Sequence, residues 1–195
     1  MISHKYKFIL ITPPKTGATS ISKSLLSVIE VGEIIKQEKQ CPNCFDFTEP
    51  QEEKLAKHNS LKDYDEKYIN SYTLYGTIRN PYARMVSWWK WKRPSKDFKK
   101  WVKKAFEENK SDRTLGGSCL SFFLSPHKNV KKYIRCEDME NDYNSFCEEL
   151  NLPKCPLYHI NKTKHMPYQD YYDSETRKIV ENNWAQDIEH FGYKF

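Results

Sequence analysis

Apolar and polar positions along the chain follow two different periods, and the first change of period lies near its start. Residues 6–12 form a short apolar run, rich in aromatic and β-branched side chains, that ends at two prolines. Such a run predicts a strand that is buried on both faces. After a polar loop, apolar residues recur at helical spacing from Thr19 to Ile29, which predicts an amphipathic helix. Strand, tight loop and helix in this order are typical of the opening of an α/β nucleotide-binding domain.

The same patterns continue through the rest of the chain. Two further strands are predicted at residues 72–78 and 130–135, and further helices are predicted from Pro81, Phe98, Met139 and Asp173 or Ser174. Neither an internal repeat nor a long linker interrupts them. We therefore expect one domain over residues 1–195, with an α/β fold in which helices flank a central parallel sheet. In such folds the ligand binds at the carboxyl ends of the strands.

Composition and charge narrow the class of protein. The 195 residues are 38% hydrophobic and 30% charged, which is typical of a soluble globular domain. The net charge of +6 favours an anionic partner, but the cations are dispersed among acidic residues rather than clustered as in a nucleic-acid-binding patch. The apolar run Phe8–Ile11 is too short for a signal peptide or a membrane span. We expect a cytoplasmic protein that binds neither nucleic acid nor membrane.

The six cysteines raise the question of disulfides or a metal. Without a signal peptide, free thiols are the expected state. Cys41 and Cys44 have the spacing of half a zinc ribbon, but the sequence has no second pair with that spacing. We interpret them as two thiols in a turn, and we expect no metal.

The strongest chemical signal is the polar loop at residues 13–20, PPKTGATS, between the first strand and the first helix. A loop in this position can surround an anion with backbone N–H groups, and the helix N-terminus adds partial positive charge. Gly17 allows close approach of the backbone, and Lys15 supplies a mobile cation, while the hydroxyls of the loop supply donors. A Walker A loop has its lysine after the second glycine, whereas here Lys15 precedes the only glycine of the loop. This order argues against a magnesium-dependent nucleotide kinase, which is the alternative enzyme.

The loop, written PPKTGATSISKSL, resembles the 5′-phosphosulfate loop of sulfotransferases that use 3′-phosphoadenosine-5′-phosphosulfate (PAPS), above all the carbohydrate sulfotransferases of the Golgi. The stretch TIRNPYARMVSWW is similar to the second element of that family, in which an arginine and a serine bind the 3′-phosphate. These positions are Arg79 and Ser87. The resemblance implies that the phosphosulfate is bound by Pro14, Lys15, Thr16, Gly17, Ala18, Thr19 and Ser20.

The resemblance also implies a mechanism. Lys15 would stabilise the charge that develops on the leaving phosphate oxygen. The segment LAKHNSLKDY resembles the one in which this family places a catalytic histidine, so His58 is the predicted base. An imidazole with an unperturbed pKa near 6.5 suits that role at neutral pH. Glu52 or Glu53 would replace it if the base were a glutamate. The products would be a sulfate ester and 3′-phosphoadenosine 5′-phosphate (PAP).

The predicted acceptor is a hydroxyl group on a carbohydrate. Trp88, Trp91 and Arg84 fall opposite the apolar stripe of their predicted helix, and three further cations, Lys90, Lys92 and Arg93, lie nearby in sequence. Aromatic rings flanked by cations suit a sugar that carries carboxylates or sulfates. Packing of these rings against the next helix is the structural alternative. A non-catalytic binder of sulfated polysaccharide or nucleic acid is the alternative outside the enzymes, and the sequence does not indicate an oligomeric state.

Overall fold

The structure is a computed structural model, and it describes residues 1–26, 58–92, 96–108, 118–124, 129–153, 156–160 and 166–195. Cys41, Cys44, Glu52, Glu53 and Arg93 lie outside these residues. The chain divides into two units: Met1–Ile78 with Phe123–Asn161, and Arg79–Phe122 with Lys162–Phe195.

The first unit is built on a four-stranded sheet. Its strands are β1 (Ile2–Ser3), β2 (Phe8–Ile11), β3 (Thr73–Ile78) and β4 (Val130–Arg135), in that order across the sheet. β2, β3 and β4 run parallel, while β1 pairs antiparallel with β2. Every residue of β2 is buried, as its continuous apolar run predicts. The predicted α/β fold is confirmed, and the short antiparallel strand β1 is an addition that the sequence patterns did not indicate.

The strands all lie in the first unit, whereas both units contain helices. They are α1 (Ala18–Leu26), α2 (Glu66–Ser71), α3 (Pro81–Lys92), α4 (Phe98–Glu108), α5 (Met139–Glu149), α6 (Ser174–Asn183) and α7 (Ala185–Phe191). A short π-helical stretch spans Cys119–Leu124. In the first unit, α5 packs on the sheet through Phe146, whose ring meets two rings of the sheet edge-on. The centroid distances are 5.4 Å to Phe8 and 4.8 Å to Tyr75. In the part of the chain that the structure covers, no helix is long and apolar enough to cross a membrane.

An extended segment also packs on α1 in the first unit. The backbone N–H of Tyr158 donates to Ser24 Oγ at 2.7 Å, and that of Ile160 donates to Ser20 Oγ at 3.1 Å. The Ser20 hydroxyl in turn lies 3.4 Å from the Ile160 carbonyl oxygen, to which it donates. Both serines are therefore used to attach a distant part of the chain to the helix.

The second unit has an aromatic core between α3, α4 and α6. Trp88 and Arg84 are only 1% exposed, which contradicts a place in the acceptor site and, for Trp88, agrees with the packing alternative. The reason is that α3 is covered on more than one side: the Arg84 guanidinium lies 4.9 Å from the ring centroid of Trp184, and Trp88 belongs to the same core. Of the three residues predicted for the acceptor, Trp91 is the exposed one, at 63%.

The boundaries of two helices have clear causes. Pro81 opens α3 as predicted, and Asn80 Oδ1 accepts from the backbone N–H groups of Tyr82 and Ala83 at 3.0 and 3.3 Å. Asp173 caps α6, also as predicted. The last predicted helix, which starts at Asp173 or Ser174, is two helices in the structure, because Trp184 leaves the helical conformation at φ −121° and ψ 30° and separates α6 from α7.

Three of the six cysteines lie in the described residues, which do not include Cys41 and Cys44. Cys119, Cys136 and Cys147 are present as thiols rather than disulfides. Within the same residues, no group of three or more His, Cys, Asp or Glu side chains could hold a metal ion.

Candidate functional site

The loop between β2 and α1 has an unusual backbone. Lys15 has φ 67° and Gly17 has φ 92°, so two of its residues are in left-handed conformations. Such a conformation is costly for a lysine, and costs of this kind are found mainly at binding and catalytic sites. Tight turns that include left-handed residues form concavities that bind anions through backbone N–H groups. The predicted anion loop therefore has a backbone suited to that task, and α1 begins directly after it at Ala18.

Two hydroxyls of the loop are used inside the protein. Thr16 is fully buried, and its hydroxyl donates to the Pro13 carbonyl oxygen at 2.6 Å. The Ser20 hydroxyl is used by Ile160. Thr16 can therefore offer a ligand its backbone N–H but not its hydroxyl proton. Lys15, Gly17 and Thr19 are partly exposed.

His58 lies beside this loop. Its Nδ1 is 2.8 Å from the carbonyl oxygen of Thr12, the residue that follows β2. A carbonyl oxygen can only accept a hydrogen bond, so Nδ1 carries the proton and donates. In the neutral imidazole this leaves Nε2 as an acceptor, which is the tautomer that a general base requires. The first unit therefore contains both the loop residues Lys15–Ser20 and His58. The His58 side chain is exposed.

The second predicted element lies in the second unit. β3 ends at Ile78, and Arg79 is the next residue. Arg79 is partly exposed, and Ser87 is partly exposed within α3, on a helix whose neighbouring residues are mostly buried. Asn80 fixes the start of this helix through its cap and also donates from Nδ2 to the Lys194 carbonyl oxygen at 3.1 Å. Arg79 is thus held between a strand end and a capped helix.

A comparison of the sequence with protein families finds a match. The model described as the sulfotransferase family matches residues 1–171, which include the β2–α1 loop, His58, Arg79 and Ser87. The chain belongs to the sulfotransferase family. No curated protein and no solved structure matches it at a significant level. The family supports a transferase that moves a sulfuryl group, and the α/β fold is consistent with this.

Two residues of the sulfotransferase that support the loop were missed in the sequence. The Thr77 hydroxyl contacts Thr16 Oγ1, and Thr77 is fully buried in β3. The side chain of Met139, the first residue of α5, lies against Gly17: a Cβ added at Gly17 would be 2.0 Å from Met139 Cε. Neither contact has a signal in spacing or composition, since each joins residues far apart in the chain.

The turn that carries Met139 is held by an ion pair. Arg135 donates to Asp142 from its backbone N–H and from Nε, both at 2.8 Å to Oδ2, and from Nη2 to Oδ1 at 2.9 Å. Hydrogen bonds from the Arg135 side chain lower the pKa of Asp142, so the carboxylate is charged at neutral pH. The β4–α5 turn of the sulfotransferase is fixed by this pair, and with it the position of Met139.

Proposed function

We propose that this sulfotransferase transfers the sulfuryl group of PAPS to a hydroxyl group of a carbohydrate. The observation that carries the proposal is the position of His58, bonded through Nδ1 to Thr12 at the base of the β2–α1 loop. A predicted base and a predicted phosphosulfate loop come from separate parts of the sequence. The contact of His58 with Thr12, two residues before Pro14, supports a common site.

Residues 14–20 would bind the 5′-phosphosulfate. The support for this is the left-handed backbone at Lys15 and Gly17 and the start of α1 at the end of the loop. The donor set is made of N–H groups and one ammonium group, which suits a multiply charged anion without a metal bridge. Lys15 would also stabilise the negative charge that develops on the bridging oxygen as the sulfur–oxygen bond breaks.

His58 would act as the general base. Nε2 accepts the proton of the acceptor hydroxyl, the acceptor oxygen forms a bond to sulfur, and the bond from sulfur to the phosphate oxygen breaks. The products are a sulfate ester, PAP and a protonated His58. The hydrogen bond from Nδ1 to Thr12 supports this role, because it keeps the imidazole in the required tautomer and orientation.

Arg79 and Ser87 would bind the 3′-phosphate. A guanidinium is always charged and can place two N–H groups on one phosphate, while a serine hydroxyl adds a neutral donor. The support is their match to the motif of the family and the fixed backbone around Arg79, which lies between β3 and the Asn80 cap. The partly exposed state of both side chains is consistent with contact to a ligand.

The carbohydrate acceptor rests on a smaller surface than the sequence suggested. With Trp88 and Arg84 in the core, the exposed ring of Trp91 and its neighbour Lys90 remain. Lys90 Nζ lies 4.7 Å from the Trp89 ring centroid and 5.1 Å from that of Tyr171, so a cation is held among aromatic faces. The exposed indole would suit the face of a sugar ring, and the Lys90 ammonium group would suit a carboxylate or sulfate on the sugar.

Calorimetric titration of PAP, without magnesium, tests the nucleotide site. We expect wild-type protein to bind PAP and Arg79→Ala to bind it roughly 10- to 100-fold more weakly, as for the loss of a charge-assisted contact. Arg177→Ala is the matched control, because Arg177 is an exposed arginine of the same unit that pairs with Glu181. Its affinity for PAP should equal that of the wild type.

Transfer of labelled sulfate from PAPS to a panel of neutral sugars, acidic sugars and phenols tests the acceptor. Preference for acidic sugars, reduced in Trp91→Ala through a higher KM, is the expected result. A folded wild-type protein that does not bind PAP would refute the PAPS proposal. Transfer to phenols but not to sugars would refute the carbohydrate acceptor alone.

A further inference from the structure

The buried contact between Thr16 and Thr77 has a defined direction. A hydroxyl has one proton, and that of Thr16 is donated to the Pro13 carbonyl oxygen. The short contact between the two threonine oxygens must therefore use the Thr77 proton, which Thr77 donates to Thr16 Oγ1. This gives a chain of two hydrogen bonds, from β3 through Thr16 to the first proline of the loop. Both threonines are fully buried, so water does not replace either bond.

This chain fixes the loop at its centre. Thr16 lies between Lys15 and Gly17, the two left-handed residues, and at Lys15 this backbone conformation is costly without support. The hydrogen bonds of the Thr16 side chain hold the backbone in place, so that Lys15 and Gly17 cannot easily rotate out of their left-handed conformations. Thr77 thus supports the loop backbone from the sheet.

Met139 supports the same loop through a different contact. Its methyl group lies where a side chain of Gly17 would begin, at 2.0 Å from the ideal Cβ position, with Sδ at 3.1 Å. The methionine is held at the start of α5 by the Arg135–Asp142 pair. The loop is therefore bounded at Thr16 by a hydrogen bond and at Gly17 by packing.

We propose that Thr77 and Met139 are positioning residues of this sulfotransferase, which hold the ligand-free β2–α1 loop in the form that binds the phosphosulfate. The proposal rests on the proposed function for the identity of the ligand. It concerns residues that act through the loop backbone, with Thr77 acting on Thr16 and Met139 acting on Gly17.

Thr77→Val is the first test, because valine keeps the shape of threonine and removes the hydroxyl. Hydrogen–deuterium exchange of the ligand-free protein should show about tenfold faster exchange of the loop amides, the effect of one lost hydrogen bond. PAP affinity should fall by a smaller factor, about threefold, which is set by the fraction of molecules whose loop keeps the binding form. Thr77→Ser keeps the donor and should restore both values.

Tyr75→Phe is the matched control. It removes another side-chain hydroxyl from β3, one that donates to Glu149 at 3.0 Å and does not bond to the loop. Loop exchange and PAP affinity should stay at wild-type values. Met139→Ala should act like Thr77→Val, while Met139→Leu keeps an apolar contact and should be close to wild type.

The two measurements separate the two proposals. Unchanged loop exchange in both Thr77→Val and Met139→Ala, or equal acceleration in Tyr75→Phe, would overturn the positioning role. If the wild type does not bind PAP, the proposed function fails, and the exchange experiment still decides whether these residues hold the loop. If Thr77→Val does not fold, Met139→Ala takes its place in the comparison with the wild type. If Met139→Ala does not fold, Thr77→Val takes its place.

Discussion

Gly17→Ala is a sharp test of the loop geometry, because the added methyl group meets two separate obstacles. The first is the backbone: at φ 92° an L residue is in the left-handed region, which costs about 1–2 kcal/mol. The second is Met139, whose Cε would be 2.0 Å from the new Cβ, whereas carbon atoms normally meet at about 3.5–4.0 Å. Cε is the end of a flexible side chain, so it can move aside at less than the roughly 1–3 kcal/mol of ordinary overpacking. The backbone cost of about 1–2 kcal/mol is therefore the larger part.

Two assays show where this strain is released. If the loop leaves its native form, calorimetry should find PAP binding weakened by about 5- to 30-fold, which corresponds to the backbone cost of about 1–2 kcal/mol. If Met139 moves instead, urea denaturation should show the loss in the free energy of unfolding. The double variant Gly17→Ala with Met139→Ala removes the overlap and keeps the backbone cost, so it should recover part of the affinity.

Gly192→Ala is the matched control for the backbone cost alone. Gly192 has φ 66° at the end of α7, and an added Cβ would find nothing within 4 Å. It should therefore lose about 1–2 kcal/mol of stability and bind PAP like the wild type. The reasoning is refuted if Gly17→Ala binds PAP within about threefold of the wild type and is no less stable than Gly192→Ala.

Three further predictions follow from other contacts. His58→Asn should lower sulfate transfer about 10²- to 10⁴-fold, as for a lost general base, while calorimetry finds PAP affinity unchanged. Asp187→Ala should lower the free energy of unfolding in urea by about 2–4 kcal/mol, because the buried carboxylate accepts from the Ser118 hydroxyl and the N–H groups of Cys119 and Leu120. Asp173→Ala should remove a helix cap worth about 1 kcal/mol. The hydrogen bond from the Thr176 hydroxyl is the main cause that lowers the pKa of Asp173 to about 2 from 3.8. The cap therefore contributes fully to stability above pH 3.8, and its contribution is lost as the pH falls through about 2. Thermal melts of the wild type and the variant at several pH values measure this loss.

Each of these predictions has a control and a contrary result. For His58, transfer activity close to wild type would show that another group is the base. For Asp187, the exposed Glu189 of the same helix is the control, and equal losses in both alanine variants would contradict the anchoring role. For Asp173, alanine at the exposed Asp170 should have little effect, and a stability difference independent of pH between 2 and 4 would contradict the carboxylate cap.

The local features of this fold were predictable because they have local causes. The strand at Phe8–Ile11, the loop that follows and the helix from Ala18 are each specified by neighbouring residues, and they are found within two residues of their predicted starts. Asp173 caps α6 for the same reason, since a cap acts within one helical turn. The family match then supports the sulfotransferase prediction made from two motifs.

The features that failed or were missed depend on distant contacts. Trp88 and Arg84 were placed on an open face because helical spacing separates faces but does not tell how many of them are covered. Trp184 stacks on Arg84, and it also breaks the last helix although the apolar spacing continues through it. The bond from His58 to Thr12 and the bond from Thr77 to Thr16 join residues with no common pattern. The resemblance to the family could suggest His58 but not its tautomer.

The attachment of residues 158–160 to α1 sets a limit on chain length. Ser20 and Ser24 are one helical turn apart, about 6.0 Å along the axis, and two residues of extended chain span about 6.6 Å. The N–H groups of Ile160 and Tyr158 can therefore reach both serines at once. Among natural variants, substitutions of the side chains at 158–160 should be common, since the bonds use the backbone. Insertions or deletions between Tyr158 and Ile160, or between Ser20 and Ser24, should be rare. A change of one residue would make the extended span and the helical rise unequal, so both hydrogen bonds could not form at once.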